Sequence, residues 1–372
     1  MFPLWLLALL HLYIGWRLAP ELPGTLAPWS FAALLLASAI LIPLAWFGRR
    51  LRDKDGGRTL ADRLTWAGML ALGLFSTLLV LTLLRDAVLL LAWPLGFAQL
   101  PQGSALAVVG GAALFMAIGL FNARRTARVR EVELPVAGLP AALHGFTIAQ
   151  ISDIHVGPTI KQPYLQAIVE AVNGLEADAV AVTGDLVDGR VQDLAPHIAP
   201  LAQLRSRHGT FFVTGNHEYY SGADEWVAEL GRLGLRVLMN EHVVLRHGGA
   251  TLVLAGVADS TAHHFSPRHR SDPQRAIDGA PGDAGVRVLL AHQPRSAQAA
   301  AQAGFDVQLS GHTHGGQYWP WNLFVRLQQP YTAGLHRLQQ LWVYTSRGTG
   351  YWGPPLRFGA PSEITRLRIV AA

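Results

Sequence analysis

"FTIAQISDIH", residues 146–155, starts as an apolar, β-branched run and ends on Asp153 and His155. The run reads as a buried strand, and the acidic and imidazole groups fall just past its end. The same arrangement recurs down the chain. "AVAVT" (179–183) runs into "GDLVD", "TFFVT" (210–214) into "GNHE", "VRVLLA" (286–291) into "HQP", and "FDVQLS" (305–310) into "GHTHGG". Two further runs, "TLVLAGV" (251–257) and "LWVYTS" (341–346), have strand character too. Amphipathic helical stretches separate several of them, at 162–175, 194–206, 224–234 and 296–304. Alternating short strands and helices predict an α/β domain with a buried sheet. Ligand sites in such sheets lie at the carboxyl ends of strands. Five strand ends therefore deliver Asp153, His155, Asp185, Asn216, His217, His292, His312 and His314 to one edge.

Carboxylate, amide and imidazole donors without sulfur suit Mn²⁺, Fe or Zn²⁺, with Mn²⁺ the leading choice. The chain has no cysteine, which excludes thiolate ligands and disulfides. The donors suffice for two divalent ions. An aspartate can bridge two ions ~3.5–4 Å apart, and such a pair activates a hydroxide for in-line attack on phosphorus. In "GHTHGG" the one-residue spacing lets His312 and His314 point the same way, while Thr313 points elsewhere and is not a ligand. The flanking Gly311, Gly315 and Gly316 keep Cβ atoms out of the turn.

The order D-x-H, G-D-x-x-D, G-N-H-E, H, G-H-x-H resembles the calcineurin-like metallophosphoesterase superfamily, over roughly residues 146–369. "GHTHGGQ", "AHQP" and "SRGTGYWGPPLRFGAPSEIT" look like its membrane-associated bacterial branch, which holds phosphodiesterases and UDP-2,3-diacylglucosamine hydrolases. The resemblance implies a two-sheet sandwich flanked by helices. It assigns Asp153, His155 and His314 to one metal, Asn216, His292 and His312 to the other, and Asp185 to the bridge. His217 becomes the histidine that protonates the leaving oxygen or stabilises charge on the phosphoryl group. Asp188 either orients a ligand or caps a turn, and Glu218 supports the GNHE loop. Arg357, Asp188 and Gln317 are the substrate-binding candidates. "QYWPWNLFV" (317–325) is either a wall against a lipid tail or core, and the His-rich loop 260–270 reads as solvated.

The N-terminal third is different. Residues 1–130 carry 12 Lys/Arg against 5 Asp/Glu, and the remainder 18 against 20. Its basic residues flank apolar runs, a membrane-topology pattern that excludes a nucleic-acid footprint. Four runs near ~20 residues, at 2–16, 29–47, 66–84 and 104–121, predict four transmembrane helices. "AVLLLAWPLGF" (87–97) either prolongs the third or lies on the surface. The expected domains are 1–122 transmembrane, 123–145 linker and 146–372 catalytic. Loops 48–63 and 122–130 hold six Lys/Arg and four Arg, which predicts an inner-membrane protein whose catalytic domain faces the cytoplasm. The expected partners are the lipid bilayer and a phosphate-containing, lipid-linked substrate, and no nucleic acid. The expected activity is metal-dependent hydrolysis of a phosphodiester or pyrophosphate, such as that of UDP-2,3-diacylglucosamine. The alternatives are a phosphodiesterase of broad or soluble substrate range, and a membrane sensor or transporter with a regulatory metal-binding domain.

Overall fold

The structure is a computed structural model that describes residues 4–47, 57–95 and 101–372. Most of the expected basic loop 48–63, and residues 96–100 between the third and fourth apolar runs, lie outside the described residues. The chain divides into two compact units. One comprises Met1–Arg124 with Gly353–Phe358, the other Arg125–Trp352 with Gly359–Ala372.

The first unit is helical: α1 (Leu4–Leu18), α2 (Leu26–Phe47), α3 (Gly57–Ala92) and α4 (Pro101–Arg124). Three stretches are long and apolar enough to cross a membrane: Leu26–Ala45, Thr59–Ala92 and Gly103–Arg124. The expected fourth, α1, has 15 described residues, about 22 Å at the α-helical rise, which is short of a hydrocarbon core. α3 is long instead. "AVLLLA" continues it to Ala92, so that stretch prolongs the third helix. The helices bury Ile14, Leu35, Phe75, Leu78 and Val108 against one another. Their outer surface exposes Leu36, Leu90, Leu114 and Phe121, as a lipid-facing surface does. Where α2 meets α3, a Cβ on Gly68 would collide with Ala45 and the Leu41 carbonyl, so glycine there sets a close crossing.

The second unit contains two six-stranded sheets, as the resemblance implied. Its strands are β1 (Arg128–Val136), β2 (Thr147–Ile151), β3 (Ala179–Val182), β4 (Thr210–Phe212), β5 (Arg236–Val237), β6 (Glu241–His247), β7 (Ala250–Gly256), β8 (Val286–Leu290), β9 (Val307–Ser310), β10 (Gly334–Leu338), β11 (Leu341–Thr345) and β12 (Glu363–Ala371). One sheet has the order β1-β12-β2-β3-β4-β5, the other β10-β11-β9-β8-β7-β6. β2 to β5 run parallel, as do β7, β8, β9 and β11. A single core of Ile148, Phe211, Leu252, Val288, Leu309 and Tyr344 fills the space between the sheets. β1 falls within 123–145, the expected linker, and pairs in parallel with β12 along its whole length. Charged residues interrupt its sequence because it is an edge strand, open to solvent for most of its length.

Candidate metal centre

The parallel strands of both sheets end at the same edge. Beyond β2 come Asp153 and His155, beyond β3 Asp185, beyond β4 Asn216 and His217, beyond β8 His292, and beyond β9 His312 and His314. Backbone bonds stitch these turns together. Asp153 N–H donates to Gly184 O at 3.0 Å, His155 N–H to Asp185 O at 3.1 Å, and Gly311 N–H to His292 O at 2.9 Å. The sheets meet where His312 N–H donates to the Asp153 carboxylate at 2.9 Å. A Cβ on Gly311 would strike Ser152 Oγ and Asp153 Oδ2, so only glycine lets the β9 turn approach the β2 turn.

Five of these residues occupy the left-handed region: Asp153 (φ 54°), His155 (57°), Asp185 (51°), His312 (69°) and His314 (52°). Non-glycine residues there are strained, and such strain persists where the surroundings fix it for a functional arrangement. Each turn reverses sharply after its strand and aims its side chain at the common centre.

There the donors face one another. His155 Nε2 lies 3.1 Å from His314 Nε2, and His292 Nε2 lies 3.2 Å from His312 Nδ1. His314 Nε2 is 3.5 Å from Asp153 Oδ1, and His292 Nε2 is 3.2 Å from Asp185 Oδ2. Three groups have ligand atoms close enough to hold an ion: Asp153, His155 and His314; Asp185, His292 and His312; and His155, Asp185 and His217. Asp185 belongs to two of them. The Asn216 Oδ1 is buried with no hydrogen-bond partner. A buried acceptor without a donor, beside paired imidazole nitrogens, fits a divalent cation. The outer atoms are organised for the same end. His292 Nδ1 is 2.7 Å from Thr183 O, which directs Nε2 inward. Thr313 Oγ1 turns away to donate to Thr332 O at 2.6 Å.

Two acids brace the centre. Asp188 Oδ1 lies 3.2 Å from His155 Nδ1 and 2.5 Å from His217 Nδ1, so one carboxylate aligns two imidazoles. Burial alone would raise this carboxyl, but the two imidazoles hold it well below its usual range. Burial would likewise lower His217, but the Asp188 bond and the Asp185 charge push it up to about 9. Glu218 accepts the N–H groups of Gly215 (2.6 Å), Leu186 (2.8 Å) and Asp185 (3.0 Å), which ties the β3 and β4 turns together. Burial and the neighbouring Asp185 push it up to about 7.

The other two substrate candidates are engaged elsewhere. Gln317 clamps the backbone of Trp352: Nε2 donates to Trp352 O, and Trp352 N–H donates to Oε1, both at 2.8 Å. Arg357 belongs to the helical unit, where it is buried and its N–H donates to Gly119 O at 2.9 Å. The stretch after the metal turn is divided: Gln317 and Tyr318 are buried, but the residues beyond them open outward. Trp321, Leu323, Phe324 and Leu327 are all exposed.

Carboxylates, an amide oxygen and imidazoles converging from two sheets define a centre for divalent metals that acts on phosphate esters. A sequence model of the calcineurin-like phosphoesterase family matches residues 146–316. A bovine transmembrane protein with metallophosphoesterase domain is 41% identical over 315 residues, 79% of this chain and 70% of the bovine protein. An uncharacterized metallophosphoesterase of Helicobacter pylori is 38% identical over 257 residues, 68% of this chain and 66% of that protein. One from Aquifex aeolicus is 31% identical over 244 residues, 65% of this chain and 91% of that one. The chain belongs to the calcineurin-like phosphoesterases, hydrolases of phosphoric esters, and carries apolar helices in addition to that domain.

Proposed function

We propose that the chain hydrolyses a phosphodiester or pyrophosphate bond in a lipid-linked substrate, with UDP-2,3-diacylglucosamine as the leading candidate. The observation that carries the hydrolytic reading is the pair of ligand groups, Asp153/His155/His314 and Asp185/His292/His312, converging at one edge. In this reading Asp153, His155 and His314 hold one ion, Asn216, His292 and His312 hold the other, and Asp185 serves both. When bound, two such ions supply Lewis acidity and an activated water to the phosphorus. Oxygen and nitrogen donors without sulfur favour Mn²⁺, with Fe and Zn²⁺ as the other choices.

The side chains do the rest. Asp188 takes the Nδ1 side of His217, which leaves Nε2 as the working nitrogen, 4.0 Å from Asp185 Oδ2. The Asp188 bond favours the protonated form of that ring. As the water oxygen bonds to phosphorus and the P–O bond to the leaving group breaks, Nε2 gives its proton to the departing oxygen. Asp188 positions His155 and His217 together, so it links metal binding to proton delivery.

The lipid-linked substrate is supported by the apolar helices of the same chain, which confine catalysis to a bilayer surface. The same reading puts the chain in the inner membrane with the catalytic unit on the cytoplasmic side. Loops 48–63 and 122–130, rich in arginine, are separated by α3 and α4 alone. If both cross, the two loops share a side whatever α1 does, and the positive-inside rule makes it cytoplasmic. Purified, metal-loaded protein should hydrolyse UDP-2,3-diacylglucosamine in mixed micelles. Turnover confined to a soluble chromogenic diester would overturn the lipid reading, and a periplasm-dependent reporter active after Ala372 would overturn the orientation.

A further inference from the structure

Three aromatic side chains stand around His217, each more than half exposed: Tyr220 (62%), Phe265 (52%) and Trp352 (52%). The ring centres of Tyr220 and Trp352 lie 5.2 and 5.7 Å from that of His217, both edge to face. Phe265 extends the group, 5.6 Å from Tyr220. They arrive from three separate places: the turn of helix after GNHE, the His-rich loop 260–270, and the segment beyond β11. Trp352 is fixed in place by the two Gln317 bonds to its backbone. An exposed apolar surface beside a polar centre marks a surface that a ligand covers.

We propose that Tyr220, Phe265 and Trp352 form the subsite for the leaving group, and that the departing part of the substrate carries an apolar moiety. This rests on His217 as the proton donor of the proposed reaction. A donor nitrogen must lie within about 3 Å of the oxygen it protonates. Whatever is bonded to that oxygen then departs past the rings beside His217. A bare, strongly hydrated leaving group gains nothing from three exposed rings, whereas an alkyl or acyl chain, or the face of a nucleobase, buries them. Loop 260–270 thereby becomes a wall of the site through Phe265. Gln317 acts through Trp352, as a positioning residue.

The test uses the full, metal-loaded chain in detergent. Binding of ethyl, butyl and hexyl phosphate, which share a headgroup charge, is read by calorimetry, and 5′-UMP is compared with ribose 5-phosphate. Turnover of bis(p-nitrophenyl) phosphate is measured separately. The wild type should bind more tightly with chain length, up to about fourfold per methylene, or should prefer the nucleotide if a base is the natural occupant. Tyr220→Ala and Trp352→Ala should flatten that dependence, while Tyr220→Phe and Trp352→Phe keep it. Turnover together with flat binding in the wild type, or an unchanged slope in both alanine variants, would overturn the subsite alone. A chain-length slope without any diester turnover would overturn the hydrolytic reading and, with it, the leaving-group assignment.

Discussion

Each unit of the chain holds a cluster of ionisable side chains away from bulk water, and the two clusters are built on opposite plans. In the helical unit Arg17, Asp86, Arg85 and Glu21 each meet an opposite charge. Arg17 forms a bidentate pair with Asp86 at 2.7 and 2.8 Å, Tyr13 donates to the same carboxylate at 2.6 Å, and Arg85 meets Glu21 and Ser104. At the metal centre like faces like: imidazole nitrogens oppose each other at 3.1 and 3.2 Å, and the buried Asn216 oxygen has no donor. A cluster that satisfies itself needs nothing more and serves the fold. A cluster that leaves its acceptors unmatched is complete only with a cation.

The largest expected effect follows from removing the shared acceptor. Asp185→Asn should lose bound metal, measured by elemental analysis, and phosphoesterase turnover together. Metal retained at full stoichiometry would break the comparison, because the centre would then not depend on the carboxylate that belongs to two of its ligand groups. Next comes His217→Ala, which should keep the metal and lose turnover by roughly 10²- to 10⁴-fold, the usual range for a proton donor. A near-normal rate would remove the role given to His217, and lost metal would make it a ligand of the His155–Asp185 group. Asp188→Asn should lie between wild type and His217→Ala. It keeps the shape but not the charge behind His155 and His217, and such supporting changes cost about 10- to 100-fold. Its pH–rate profile should shift to lower pH on the alkaline limb, since the Asp188 bond is one of the interactions that raise His217.

This division also explains what could be read from sequence. A strand with an uninterrupted apolar run, such as Ala179–Val182, is legible because both of its faces are covered. Arg128–Val136 reads as linker because a Pro/Gly-rich stretch follows directly and charges break up its own apolar pattern. In Glu363–Ala371 the alternation of Arg366, Leu367, Arg368 and Ile369 is the period-two signal that would have found it. At the centre, residue type and strand-end position reveal the donors, because few other reasons place Asp and His there. Three things stay hidden: the left-handed backbone of five donors, the double bond of Asp188 to His155 and His217, and the aromatic rings around His217. All arise from contacts between segments far apart in sequence, and local periodicity carries no trace of them. The helical unit hid its network for the same reason. In the sequence Arg85 and Asp86 are only two charges between apolar runs, and their partners come from α1 and the turn after it.

That network supplies the smallest and most discriminating prediction. Arg17 and Asp86 are partly open, at 27% and 23% side-chain exposure, so their pairing is not the all-or-none kind found in a dry core. Polar contacts between membrane helices are worth about 1 kcal/mol or less on average. A double-mutant cycle of Arg17→Ala with Asp86→Asn, followed by unfolding in detergent, should give a coupling near about 1 kcal/mol. Diester turnover per folded molecule should stay at the wild-type level in all three variants. The pairing adds to the apolar packing of Ile14 and Leu18, which also holds α1 in place. A coupling indistinguishable from zero would mean that the helical cluster is not a fastening, and that self-matched charges need another explanation. A change in turnover without a change in stability would be more damaging still, because it would make a saturated cluster behave as a functional one.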